Sequence, residues 1–177
     1  ADAIDRLFRL NVLGPIRLTQ RILPRMRERR SGRIVMVGSM LASFPIAYRS
    51  SYAASKAAIK GFATAARLEL APFGVWITTV EPGSINTGLT ERRTRYISEN
   101  SEYAGDFGTV IARLDHNVQH GIAPQKVAKT IAKAIEAPRP KPLYAVGSNA
   151  PLVFAFRRLA PRTVVERIIA RMHGLHA

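Results

Sequence analysis

Ser39, Tyr52 and Lys56 are the residues of this chain whose types and spacing could do chemistry together. Tyr52 and Lys56 stand four positions apart, so on a helix they share one face. A phenol titrates near pH ~10 unaided, too high for a base at neutrality. An ammonium group beside a phenol favours the phenolate, and general acid–base catalysis works best when the pKa lies near the working pH. A serine hydroxyl can then hold the carbonyl or alcohol oxygen that exchanges its proton with the phenol. Taken alone, the Y-x-x-x-K pair reads more simply as a solvated helix start, because pairs at this spacing are common.

The elements that must position these groups are legible around them. The apolar run Ile34-Val35-Met36-Val37 reads as a buried parallel strand. It sets Ser39 at the carboxyl end of a strand, where open α/β sheets bind ligands. The alanine-rich residues 53–71 read as a long helix with Tyr52 and Lys56 at its start. Upstream, residues 5–29 form a second helical pattern, with Gly14-Pro15 and Pro24 predicted to kink it. Asn11 is a polar residue inside that apolar pattern and needs partners if buried. Ser31-Gly32 is expected to close the helix and turn into the strand. Residues 75–80 read as a second strand and 124–136 as a helix with proline in its first turn. Residues 137–142 form an extended, proline-rich connector and 143–146 a short third strand.

Four motifs occur in a fixed order: L-N-V-L-G around Asn11, G-R-I-V-M-V-G-S ending at Ser39, Y-A-A-S-K from Tyr52, and V-E-P-G-S-I-N-T from Val80. With Tyr52 thirteen positions after Ser39, the chain resembles the short-chain dehydrogenase/reductase family, strongly over residues 4–87 and weakly beyond about Leu89. The resemblance implies that Ser39, Tyr52 and Lys56 are catalytic. Asn11 would join them from a helix irregularity, positioning a water that links to Lys56. Tyr52 and Lys56 would also contact the ribose of NAD or NADP, while Pro82, Gly83, Ile85 and Thr87 would hold the nicotinamide. The implied fold is α/β, a partial Rossmann-like doubly wound parallel sheet made of the last strands and helices of the family fold. No glycine-rich turn between a strand and a helix occurs in the sequence. The expectation is therefore a single domain over 1–177 that lacks the N-terminal cofactor-binding half, with the residue that chooses NAD from NADP outside it and strand 33–37 left at a sheet edge. Its parts would be a catalytic core over 1–88, a substrate lid over 89–122, a last helix and strand over 123–150 and a basic amphipathic tail over 151–177. The resemblance further implies a homodimer through helices 5–29 and 53–71.

Met40, Leu41, Phe44 and Ile46 lie beside Ser39 and suggest a pocket for an apolar alcohol or ketone, steroid-, retinoid- or acyl-like. The same side chains could equally pack on later segments of the chain. The tail sets Arg157, Arg158, Arg162, Arg167 and Arg171 against Val164, Val165, Ile168 and Ile169, a pattern that covers the lid or lies on a membrane surface. The function expected is an NAD(P)-dependent oxidoreductase of an alcohol/carbonyl pair. The alternative is a non-catalytic remnant that acts as a dimerisation or membrane-surface module. His116 and His120 stand at i,i+4, but no convincing third ligand accompanies them, so no metal is expected.

The 177 residues carry 27 Lys+Arg against 12 Asp+Glu, a formal charge of +15 that attracts anions. Nucleic acid is not expected as a partner, because few aromatics interleave with the basic residues and no nucleic-acid motif occurs. There is no cysteine, which removes disulfides and thiolate chemistry and fits a reducing compartment. No apolar run approaches the ~20 residues of a membrane span. The expected location is cytoplasmic, with the tail offering a peripheral membrane contact.

Overall fold

The computed structural model describes residues 2–88, 90–91, 97–98 and 100–175. Three parallel strands form its sheet in the order β1 (Gly32–Val37), β2 (Val75–Pro82) and β3 (Leu143–Val146). Gly32 faces Val75 and Val37 faces Val80 across the first pair, and Thr79 faces Leu143 across the second. Parallel neighbours need long crossovers, which the intervening helices supply. Nearly every residue of β2 is buried, as expected of a central strand covered on both faces. This is the α/β, partial Rossmann-like arrangement expected from the sequence. β1 pairs only with β2 among the described residues, and Val37 at its end is 49% exposed.

Helices cover both faces. On one, Ile59, Ala63, Ala66 and Leu70 of α3 (Ser50–Leu70) meet Ile34, Met36, Val75 and Ile77. The small alanines let the helix approach the sheet closely, and Ile16, Ile22, Leu23 and Met26 of α2 (Gly14–Glu28) close the cluster. On the other face, Val127 and Ile131 of α5 (Pro124–Glu136) pack with Val80, Val146, Ile85 and Ile122. A third cluster joins Met40 and Phe44 to Ala150, Phe154, Val165 and Ile169 of α6 (Ala150–Leu159) and α7 (Arg162–Met172).

Three expectations are revised. The irregularity in the first helical stretch lies not at the prolines but between α1 (Asp2–Phe8) and α2, where Arg9–Leu13 forms a π-helical turn. Pro15 sits in the first turn of α2, where its missing N–H costs nothing, and the helix runs on past Pro24. The helix is closed by Arg30 in the left-handed region (φ 50°), with Ser31 N–H donating to Met26 O at 3.1 Å. Gly32 is already strand. Finally, residues 104–119, within the expected lid and with no element predicted for them, form a helix, α4 (Ala104–Gln119). Of the expected lid over 89–122, Leu89, residues 92–96 with Tyr96, and residue 99 lie outside the described residues.

Candidate active site

β1 ends at Val37, and Gly38 N–H donates to Val80 O at 2.8 Å, so Ser39 leaves the sheet at the carboxyl end of the strands. Ser39 is extended and caps the short helical turn Met40–Ala42: its Oγ accepts from Leu41 N–H at 3.2 Å. That bond occupies a lone pair of the oxygen and leaves the hydroxyl hydrogen to be donated elsewhere.

Tyr52 and Lys56 occupy consecutive turns at the start of α3. Lys56 Nζ donates to Val37 O at 3.0 Å, which ties this helix to the strand end beside Ser39. Burial pushes the Lys56 ammonium below its ordinary pKa of 10.5, and among the described residues no carboxylate pairs with it. Its nitrogen lies 5.8 Å from the Tyr52 ring centre, and the Arg49 guanidinium lies 4.9 Å from it. The phenol is thus flanked by two cations.

Asn11 sits in the π-helical turn, whose extra residue redirects the side chains that follow. Its Nδ2 donates to Ser55 Oγ at 3.1 Å, and Ser55 Oγ donates to Tyr52 O at 2.8 Å. Asn11 therefore reaches the backbone of α3 at Tyr52 through one intervening hydroxyl. Ser55 was not singled out from the sequence. It is fully buried, and both its hydrogen bonds are made inside the protein.

The loop of residues 82–87 is fixed along one side. Gly83 N–H donates to Val146 O at 2.9 Å, Ser84 N–H to Ser148 Oγ at 3.1 Å, and Asn86 N–H to Ile122 O at 3.1 Å, with a bridge pairing Ile85 and Ile122. Position 83 requires glycine, because a Cβ there would lie 2.6 Å from Ser148 Cβ. Pro82 is buried and Thr87 exposed. The structure thus brings Asn11, Ser39, Tyr52 and Lys56 around the end of β1, with the loop at the neighbouring strand end.

Met40 and Phe44 are occupied by the chain's own tail. Phe44 meets Phe154 edge-on at 5.0 Å between centroids, with the Arg157 guanidinium 5.3 Å over its ring. Leu41 is half-buried and Ile46 buried. Tyr48, left-handed at φ 61°, packs edge-on against Phe107 of α4 at 5.8 Å. His116 and His120 stack at 4.3 Å, and no group of three metal-binding side chains occurs among the described residues.

A second polar cluster lies beneath the site. Glu81, fully buried at the end of β2, accepts from Ser43 Oγ at 2.7 Å and pairs with Lys60 Nζ at 3.0 Å. The sequence signal was a single carboxylate in the apolar run V-W-I-T-T-V-E-P, since a buried charge demands a partner.

The sequence pattern of the short chain dehydrogenase family matches residues 1–97. The chain belongs to that family. Over 156 residues this short chain dehydrogenase is 31% identical to a 3-ketodihydrosphingosine reductase of Bacteroides thetaiotaomicron, covering 87% of the chain and 58% of the relative. Over 148 residues it is 34% identical to retinol dehydrogenase 8 of Bos taurus, covering 78% of the chain and 47% of that protein. A short-chain dehydrogenase of Streptomyces avermitilis superposes with a TM-score of 0.75 at 30% identity, over 98% of this chain and 62% of the other. The chain thus spans about half to three-fifths of the length of these relatives.

Proposed function

We propose that the chain carries the catalytic part of an NAD(P)-dependent oxidoreductase that interconverts an apolar alcohol and its carbonyl compound. The observation that carries this reading is the Lys56 ammonium, half-buried and without a carboxylate partner among the described residues, anchored on Val37 O two residues before Ser39 and 5.8 Å from the Tyr52 ring centre. In the direction of reduction, Tyr52 gives its proton to the carbonyl oxygen and Ser39 donates its hydroxyl hydrogen to the same oxygen. Lys56 stabilises the negative charge left on the phenol, and Asn11 holds the helix through Ser55 while supporting a water relay to Lys56. When bound, a nicotinamide dinucleotide supplies the hydride chemistry. The donor set fits one end of such a group: Tyr52 and Lys56 toward a ribose, and the exposed side of residues 82–87 toward the nicotinamide ring.

An apolar substrate is supported by Leu41 and Ile46 in the loop after Ser39, whose Met40 and Phe44 are taken up by the tail. Two relatives named for a ketosphingoid and for retinol point the same way. Residues 104–119 form the helix of the lid, tied to this loop through Tyr48. The test is turnover in a protein that also carries the dinucleotide-binding half, with ketones of rising chain length and NADH or NADPH. The reading expects kcat/KM to climb with length, because each buried CH₂ adds ~0.8 kcal/mol. A flat or falling series removes the apolar pocket, and absence of any cofactor-dependent turnover removes the activity.

The reading extends to two surfaces. A second copy packs on α2 and α3, where Leu18 and Leu68 stand exposed. Sedimentation at varied concentration tests this, and a strictly monomeric protein contradicts it. The tail helices rest on an anionic bilayer: Leu152 is 74% and Leu159 85% exposed on α6, and Arg158 of α6 and Arg167 and Arg171 of α7 are exposed as well. No described helix is long and apolar enough to cross a membrane. Flotation with anionic against neutral vesicles tests the contact, which should weaken as salt rises.

A further inference from the structure

Three polypeptide segments must hold their relative places for the proposed chemistry: the turn after Ser39, the helix with Tyr52 and Lys56, and the strand end leading into residues 82–87. One buried carboxylate touches all three. Glu81 is the residue before Pro82, so it stands on the strand end itself. Its Oε2 accepts from Ser43 Oγ at 2.7 Å, four residues beyond Ser39. Its Oε1 meets Lys60 Nζ at 3.0 Å, one turn beyond Lys56 on α3, as an ion pair outside hydrogen-bond geometry. The Lys60 ammonium also donates to Ser43 Oγ, closing a triangle. Glu81 is 0% exposed, and a Cβ added at Gly38 would lie 3.3 Å from its Cγ, so the carboxylate lies directly under the turn that presents Ser39.

The proposed reaction uses none of these groups, and folding alone gives little reason for them. Burying a carboxylate is expensive, and well-packed apolar residues of similar volume commonly stabilise as much or more. What an apolar trio lacks is direction: two oxygens of one rigid carboxylate fix both the hydroxyl of the turn and the ammonium of the helix.

We propose that Glu81 is a positioning residue, whose carboxylate, through Ser43 and Lys60, sets where Ser39 and the Tyr52–Lys56 helix stand relative to the loop of residues 82–87. The inference rests on the oxidoreductase reading for its kinetic consequence, but not for its structural one. A small misplacement at a reacting centre is enough to cost roughly a hundredfold in rate.

The experiment uses Glu81→Gln, which keeps the shape and removes the charge, and the double variant Lys60→Met/Glu81→Leu, which replaces the pair by apolar side chains. Amide hydrogen exchange is read at Ala42, Ser43 and Phe44, whose N–H groups bond Ser39 O and Met40 O. Glu81→Gln should accelerate exchange there and lower kcat by roughly tenfold to a hundredfold, with KM moving much less. The double variant should recover the melting temperature while exchange stays fast and kcat stays low. Recovery of kcat together with the melting temperature would make the carboxylate a stability element and overturn the proposal. So would unchanged exchange in Glu81→Gln. If the unsubstituted protein shows no turnover even when it also carries the dinucleotide-binding half, the activity reading falls, and the exchange arm still decides whether Glu81 orders the turn.

Discussion

Two lysines one turn apart on the same helix have been given opposite surroundings. Lys56 is half-buried, has a carbonyl for its hydrogen-bond partner, and among the described residues meets no carboxylate. Lys60 meets a fully buried carboxylate and a serine hydroxyl. An ammonium without a counter-ion is free to stabilise charge that develops next to it, which in the proposed reaction is on Tyr52. An ammonium locked to Glu81 has its charge already answered and can only hold things in place. The difference separates a group suited to chemistry from one suited to architecture, although residue type and helix are shared.

Substitutions at the four positions involved sharpen or break that contrast. The largest effect is expected at the proposed acid/base group, Tyr52. Tyr52→Phe keeps the ring and its cation contacts but removes the titrating hydroxyl, so kcat should fall by ~10²–10⁴-fold with KM little changed. Steady-state kinetics in a protein carrying the dinucleotide half check it, and a variant with near-normal kcat would empty the Lys56 environment of its proposed purpose. Next is Lys60→Met, which leaves Glu81 buried without its cation. Breaking a buried pair costs about 3 kcal/mol, measurable by urea unfolding, and a loss well below that would mean Ser43 alone satisfies the carboxylate. Smaller is Ser55→Ala. It strips Asn11 Nδ2 of its acceptor and Tyr52 O of its donor. Because Asn11 is only half-buried, water replaces part of the loss, and about 1 kcal/mol is expected in the same assay. An unchanged midpoint would show that Asn11 does not brace the helix through Ser55.

The legible and illegible parts of this molecule divide along the same line. Strands β1, β2 and β3 and helices α3 and α5 were visible because apolar runs and 3.6-residue periodicity report burial directly. Ser39, Tyr52, Lys56 and Asn11 could be named as candidates because the motifs keep their order and spacing. Ser43, Ser55, Lys60 and Glu81 were not singled out: the lone carboxylate in its apolar run says that Glu81 needs a partner but not which one, because the partners lie 38 residues apart for Ser43–Glu81 and 44 for Asn11–Ser55, and local patterns carry no such distance information. The helix α4 was hidden by Gly105, Gly108 and interspersed charge, which weaken its local preference until packing decides it. The two fates open to Met40 and Phe44 could not be separated by composition, since an apolar residue looks the same whether it faces substrate or the tail.

The smallest expected effect gives the closest test of the contrast between the lysines. In Lys56→Met the lost hydrogen bond is to Val37 O, and Val37 stands half in solvent, so water can replace the donor. At neutral pH the variant should therefore fold as stably as the parent or slightly more so, unlike Lys60→Met. The pH dependence follows from the direction of the shift. Burial lowers the folded-state pKa of Lys56 beneath its ordinary 10.5, so between the two values the unfolded chain binds more protons than the folded one. Stability contributed by Lys56 must then rise with pH across that interval, as the buried site sheds the charge it tolerates poorly. Below the folded pKa both states are protonated and the contribution is flat. The parent should gain on Lys56→Met as pH climbs from neutral toward 10.5, by less than about 1 kcal/mol, because the ammonium keeps part of its contact with water. Urea midpoints of the two proteins at a series of alkaline pH values measure it. A gap that stays constant with pH, or a variant already destabilised at neutrality, would mean that the Lys56 charge is compensated by a group yet to be located, and the two lysines would then differ in position but not in kind.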